Sequence, residues 1–130
     1  MDMTLLLALV GLSLLLIPVL GGDDDDDGDD EPNEIRGSLE DDPDLNGTQG
    51  DDLIFGFAGD DTINAFGGND TIRAGEGDDT VNGGDGRDFI FGFDGNDTLN
   101  GGNGADKIQG GDGIDTIDGG RNADDIDGGD

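Results

Sequence analysis

The apolar residues of this 130-residue chain fall into two unlike patterns. Through residue 22 they are nearly continuous. The stretch MDMTLLLALVGLSLLLIPVLGG holds no charge between Asp2 and Asp23. It predicts a helix over 1–22, about 33 Å long at 1.5 Å per residue and long enough to cross one hydrocarbon core. From Gly47 onward the aliphatics are isolated and recur every ninth residue: Ile54, Ile63, Ile72, Val81, Ile90, Leu99, Ile108, Ile117 and Ile126. A lone aliphatic between polar β-formers, as in Thr62-Ile63-Asn64, reads as a three-residue strand. Its middle side chain points inward and its neighbours point out. The six residues between strands are rich in Gly, which permits positive φ and close backbone approach, and they suffice to reverse the chain. Two units then make one flattened coil. Coils stack at ~4.8 Å, and each unit lies over the next but one.

Written in nines, the frame is GTQGDDLIF, GFAGDDTIN, AFGGNDTIR, AGEGDDTVN, GGDGRDFIF, GFDGNDTLN, GGNGADKIQ, GGDGIDTID and GGRNADDID. Position six is Asp throughout: Asp52, Asp61, Asp70, Asp79, Asp88, Asp97, Asp106, Asp115 and Asp124. Stacking brings these carboxylates together along each edge, where like charges repel. A hard dication removes the repulsion. Ca²⁺ suits the position because it takes six to eight oxygens at about 2.3–2.6 Å, and glycine turns expose carbonyls; Mg²⁺ demands a tighter octahedron. One aliphatic per unit is a small core against the entropy of ordering so much backbone. The domain is therefore expected to fold only with its ion.

The repeat resembles the GGxGxDxUx nonapeptide of the RTX (repeats-in-toxin) family, with U a large aliphatic. The resemblance covers 47–130. It implies an all-β parallel β-roll of about nine nonapeptide repeats, with each calcium ion shared by adjacent coils along one edge. The implied pairs are Asp52/Asp70, Asp61/Asp79, Asp70/Asp88, Asp79/Asp97, Asp88/Asp106, Asp97/Asp115 and Asp106/Asp124, or about seven ions. Departures from the pattern are expected to weaken individual sites. They are Ala65-Phe66 for the two leading glycines of the third unit, Ala74 for one in the fourth, and Asn122 at position four of the ninth.

Charge and composition narrow the function. The net charge is −29, from 34 acidic and 5 basic residues, with no Cys, His, Trp or Tyr. Such a chain repels nucleic acid. It cannot build a disulfide, a zinc site of the usual kind or a His-dependent catalytic triad. A non-enzymatic calcium-binding protein is the expected class. The run DDDDDGDDE at 23–31 is self-repelling and reads as an extended spacer. It opens an acidic linker and degenerate cap over 23–46, in which Ile35, Leu39 and Leu45 supply an imperfect first layer.

The leading helix lacks a basic n-region, and Val19-Leu20-Gly21 is a poor cleavage site. It reads as a retained single-span anchor that places the roll on the periplasmic or extracellular side. The alternative is a cleaved leader on a secreted or cell-surface adhesin or matrix protein. Three features point to an accessory subunit of a membrane assembly. Thr4, Ala8 and Gly11 give the helix a face of small residues on which another helix can pack. Leu53, Phe55, Phe57, Phe89, Phe91 and Phe93 form an apolar stripe on an acidic module. The last layer, Ile117 and Ile126, is a third contact. On the other face the ladder Thr62/Asn64, Thr80/Asn82 and Thr98/Asn100 reads as exposed strand chemistry rather than as an ice-matching surface.

Overall fold

The structure, a computed structural model, describes residues 31–130. The expected helix over 1–22 and the acidic run through Asp30 lie outside the described residues. Among the described residues no helix is long and apolar enough to cross a membrane.

The repeats wind into a two-sheet parallel solenoid. One sheet holds six strands in the order β1 (Asn33–Arg36), β3 (Asp52–Ala58), β5 (Thr71–Glu76), β7 (Phe89–Asp94), β9 (Lys107–Asp112) and β11 (Asp125–Gly129). The other holds β2 (Leu45–Asn46), β4 (Thr62–Asn64), β6 (Thr80–Asp85), β8 (Thr98–Asn103) and β10 (Thr116–Asp118). The chain crosses between sheets after every unit, and each strand pairs with the strand one coil away. Ile54 lies beside Ile72, Ile72 beside Ile90, and Ile90 beside Ile108. Ile63, Val81, Leu99 and Ile117 form the matching column of the opposite sheet. These two columns, with buried Leu45, Ala65 and Ala74, make up the hydrophobic core of the described residues. The all-β parallel roll expected from the nine-residue period is what forms.

Two features depart from expectation. Most of the strands are longer than three residues. β5 to β9 each run for six, continuing through positions one to three of the next unit. The glycines there are part of the ladder, as in Gly84 beside Gly102. They are required: Gly84 has φ of 113°, and a Cβ on it would strike the Phe66 carbonyl.

The solenoid also starts before the regular repeats. β1 and β2 add a first coil, in which Ile35 pairs with Ile54 and Leu45 with Ile63. Leu39 does not join that layer; it is 74% exposed. The reason is its place in an irregular unit, Gly37 to Asn46, with Gly first and Asp42 sixth. Ile35 and Ile54 stand 19 positions apart, whereas Leu45 and Ile63 stand 18 apart. The extra residue is absorbed around Pro43-Asp44. Leu39 falls at the third position of that unit, in the outward turn.

Candidate metal centre

Each coil ends its turn by burying the position-six Asp. Asp52, Asp61, Asp70, Asp79, Asp88, Asp97 and Asp106 are all at most 2% exposed. Their polar atoms need partners there. One oxygen of each is satisfied by the preceding coil. The backbone N–H of Asp52 donates to Oδ1 of Asp70 at 2.8 Å, and that of Asp61 to Asp79 at 2.8 Å. The same bond links Asp70 to Asp88, Asp79 to Asp97, Asp88 to Asp106 and Asp97 to Asp115 at 2.9 Å, and Asp106 to Asp124 at 3.0 Å. All seven expected pairs are thus brought together, Asp52 through Asp124 on one edge and Asp61 through Asp115 on the other.

The pairing is not of two free carboxylates. A main-chain N–H stands between the partners and holds Oδ1, so each Asp has only Oδ2 to offer. That oxygen has no partner in Asp61, Asp70, Asp79, Asp88, Asp97, Asp106 and Asp115. Burial makes ionisation costly. It pushes the Asp70 and Asp79 carboxyls up to about 7 and that of Asp88 up to about 6, against the ladder N–H bonds, which pull the other way. Asp61, Asp97 and Asp106 are raised by the same burial, with neighbouring carboxylates adding to it.

The free oxygens face a carbonyl from the next coil. A Cβ placed on Gly101 would come 2.5 Å from Asp106 Oδ2 and 2.7 Å from the Gly119 carbonyl. At Gly83 the same point lies 2.5 Å from Asp88 Oδ2 and 2.6 Å from the Gly101 carbonyl. Position one is glycine because this spot is already crowded with oxygen. In the third and fourth units Ala65 and Ala74 stand there instead, fully buried. Asp70 and Asp79, the two carboxyls pushed highest, belong to those same units.

The regular spacing, the seven partnerless oxygens and the carbonyls beside them are the marks of a repeat built around a cation. A family model, the RTX calcium-binding nonapeptide repeat, matches in four copies, over residues 44–72, 64–99, 73–108 and 100–130. The chain belongs to the RTX calcium-binding nonapeptide repeat family. No curated protein and no solved structure matches it.

RTX repeats bind calcium, and the donor set present suits that ion. Carboxylate and carbonyl oxygens are hard ligands, and calcium tolerates the irregular cages they form. Among the described residues no three acidic side chains converge on a point. The residues that would hold an RTX calcium ion are therefore Asp61, Asp70, Asp79, Asp88, Asp97, Asp106 and Asp115 through Oδ2, with main-chain carbonyls of the glycine turns supplying the rest; Asp52, also expected from the sequence, has its Oδ2 taken by Thr48.

Three polar features escaped the sequence reading. Asp42 is a position-six residue upstream of the regular frame, and its N–H donates to Asp61 Oδ1 at 2.8 Å. The signal was the spacing Gly37 to Asp42, hidden by the extra residue after it. Thr48 caps Asp52: its N–H donates to Oδ2 at 2.6 Å and its hydroxyl lies 3.2 Å away. Position five carries a second ladder on the outside, in which Asn69 and Asp78 donate their N–H groups to Asp51 at 2.6 Å and Asp60 at 2.9 Å.

Proposed function

We propose that this chain is a non-enzymatic, calcium-folded β-roll in which the position-six Asp ladder holds up to seven ions. The observation that carries this reading is the set of seven buried Oδ2 atoms without a partner. An ionised, unpaired buried carboxylate is strongly destabilising. A dication bridging Oδ2 and turn carbonyls converts that cost into folding free energy. The test is far-UV circular dichroism of the full chain in mild detergent. The spectrum is expected to pass from coil to β on adding millimolar Ca²⁺ and to revert in chelator. A β spectrum that persists in excess chelator above pH 7 overturns the reading.

The apolar stretch 1–22 supports a retained membrane anchor, with the roll on the calcium-rich periplasmic or extracellular side. An accessory role in a membrane assembly rests on the Thr4/Ala8/Gly11 face and the exposed phenylalanines. Membrane fractionation tests both: the intact N-terminus should sediment with membranes and co-purify with other polypeptides when calcium is present. Recovery of a chain lacking 1–22 from the medium would favour the secreted adhesin or matrix protein instead.

A further inference from the structure

Position two of the repeat belongs to glycine, because its backbone is left-handed, as in Gly75 (φ 133°) and Gly111 (φ 120°). Phe57 (φ 82°) and Phe93 (φ 84°) nevertheless occupy it. Bulky L-residues rarely adopt this conformation, and such strain persists where something else depends on it. The parallel register sets Phe57 and Phe93 on either side of Gly75, two strand spacings or about 9.6 Å apart. Gly75 has no side chain to fill the interval, and a Cβ there would strike the Phe57 carbonyl. The alternation Phe–Gly–Phe therefore opens a cleft of about 430 Å³ with Phe55, Phe57 and Phe93 as its walls. Glu76 and Asp94 also line it.

Three observations define what such a cleft takes. Its walls are aromatic, and Arg73 already places its guanidinium carbon 4.9 Å from the Phe93 ring centroid. Among the described residues no cation lies over Phe57, which stacks on the Phe55 ring at 5.9 Å. Neither Glu76 nor Asp94 forms an ion pair among the described residues. Aromatic faces attract cations, and a planar guanidinium can stack on a ring while it pairs with a carboxylate. The net charge of −29 draws a basic partner toward the surface. We propose that this cleft binds an arginine side chain presented by a basic partner segment, stacked on Phe57 and paired with Glu76 and Asp94. Arg73 is then the internal occupant of half of the site. The cleft borders the calcium ladder at Ala74, whose carbonyl faces Asp61 Oδ2, but no position-six Asp lines it, and it requires only that the roll be folded.

The test titrates the full chain, in detergent and saturating Ca²⁺ at fixed salt, with acetyl-Gly-Arg-Gly-amide by calorimetry. Acetyl-Gly-citrulline-Gly-amide serves as the neutral control. Phe57→Gly and Phe93→Gly restore the repeat's own residue and relieve the strain, so these variants retain the fold. Each is expected to weaken binding about fivefold, as is Glu76→Gln. Arg73→Ala is expected to strengthen it by vacating the Phe93 face. The proposal is overturned if the citrulline peptide binds equally well, which would mean an apolar cleft with no preference for charge. It is also overturned if Asp118→Asn, on the opposite sheet, weakens binding as much as Glu76→Gln, which would mean diffuse attraction to an acidic surface.

Discussion

The first coil and the coils that follow it solve one problem in two ways. In the first coil the turn carboxylates are capped by the chain itself. Ser38 donates its N–H to Asp42 Oδ2 at 2.6 Å, and Thr48 does the same for Asp52 at 2.6 Å. Asn33 adds a bond to Asp52 Oδ1 at 3.1 Å. In the regular coils the corresponding Oδ2 atoms have no partner at all. The aliphatic columns and the parallel strand pairing run from one region into the other. What differs most at the turns is the partner of Oδ2, which the first coil supplies from its own main chain. The difference shows where a cation has room to act: the first coil is finished by protein atoms alone, and the regular coils leave a buried carboxylate oxygen free at each turn.

The largest effect that can break this contrast is at the centre of the regular region. Asp79→Ala removes the acceptor for the buried Asp61 N–H and one free Oδ2. It is expected to cost about 2–3 kcal/mol and to raise the calcium midpoint, because two adjacent turns lose a ligand together. Calcium titration followed by circular dichroism measures this, and an unchanged midpoint contradicts the pairing.

Acid should sharpen the contrast next. The raised carboxyls of Asp70 and Asp79 (about 7) and Asp88 (about 6) bind protons more tightly in the folded than in the unfolded chain, where the ordinary value is 3.8. Between 3.8 and about 7 the folded state holds more protons, so metal-free stability falls as pH rises through this window. In chelator the β signal is expected to grow as pH is lowered from 7 toward 4, protons standing in for the cation. With calcium present the midpoint is expected to fall as pH rises from 6 to 8. A metal-free spectrum flat across that range contradicts the assignment.

Smaller effects are expected at the boundary and within the cradle. Thr48→Ala removes the hydroxyl that helps cap Asp52 and is expected to cost about 1 kcal/mol, leaving calcium stoichiometry unchanged. Ala74→Gly clears the spot beside Asp79 and is expected to lower the calcium midpoint modestly. The added glycine should cost about 0.5–1 kcal/mol in the absence of metal. Calorimetric calcium titration separates these two outcomes.

Much of the regular region was legible in the sequence. The invariant Asp and the aliphatic two places after it predicted both core columns, the coil of two units and the seven Asp pairs. The first coil was harder to see because one residue beside Pro43 breaks the period, so Asp42 looked like linker and Leu39 looked like core. The glycines read as turn residues although half of them pair in the sheets; a residue without Cβ serves either use, and only register distinguishes them. The pattern also showed Phe55-Gly-Phe57 and Phe91-Gly-Phe93 as a stripe. It could not show that Phe57 and Phe93 adopt a glycine's backbone, since that depends on what lies one coil away.

The most direct measurement is hydrogen exchange of the ladder amides, residue by residue, with and without calcium. The N–H groups of Asp61, Asp70, Asp79, Asp88 and Asp97 donate to carboxylates whose other oxygen is free. They are predicted to be strongly protected in calcium and to exchange at unfolded-chain rates in chelator at pH 7. Equal protection in both conditions would show that the roll stands without its ion and would contradict the account.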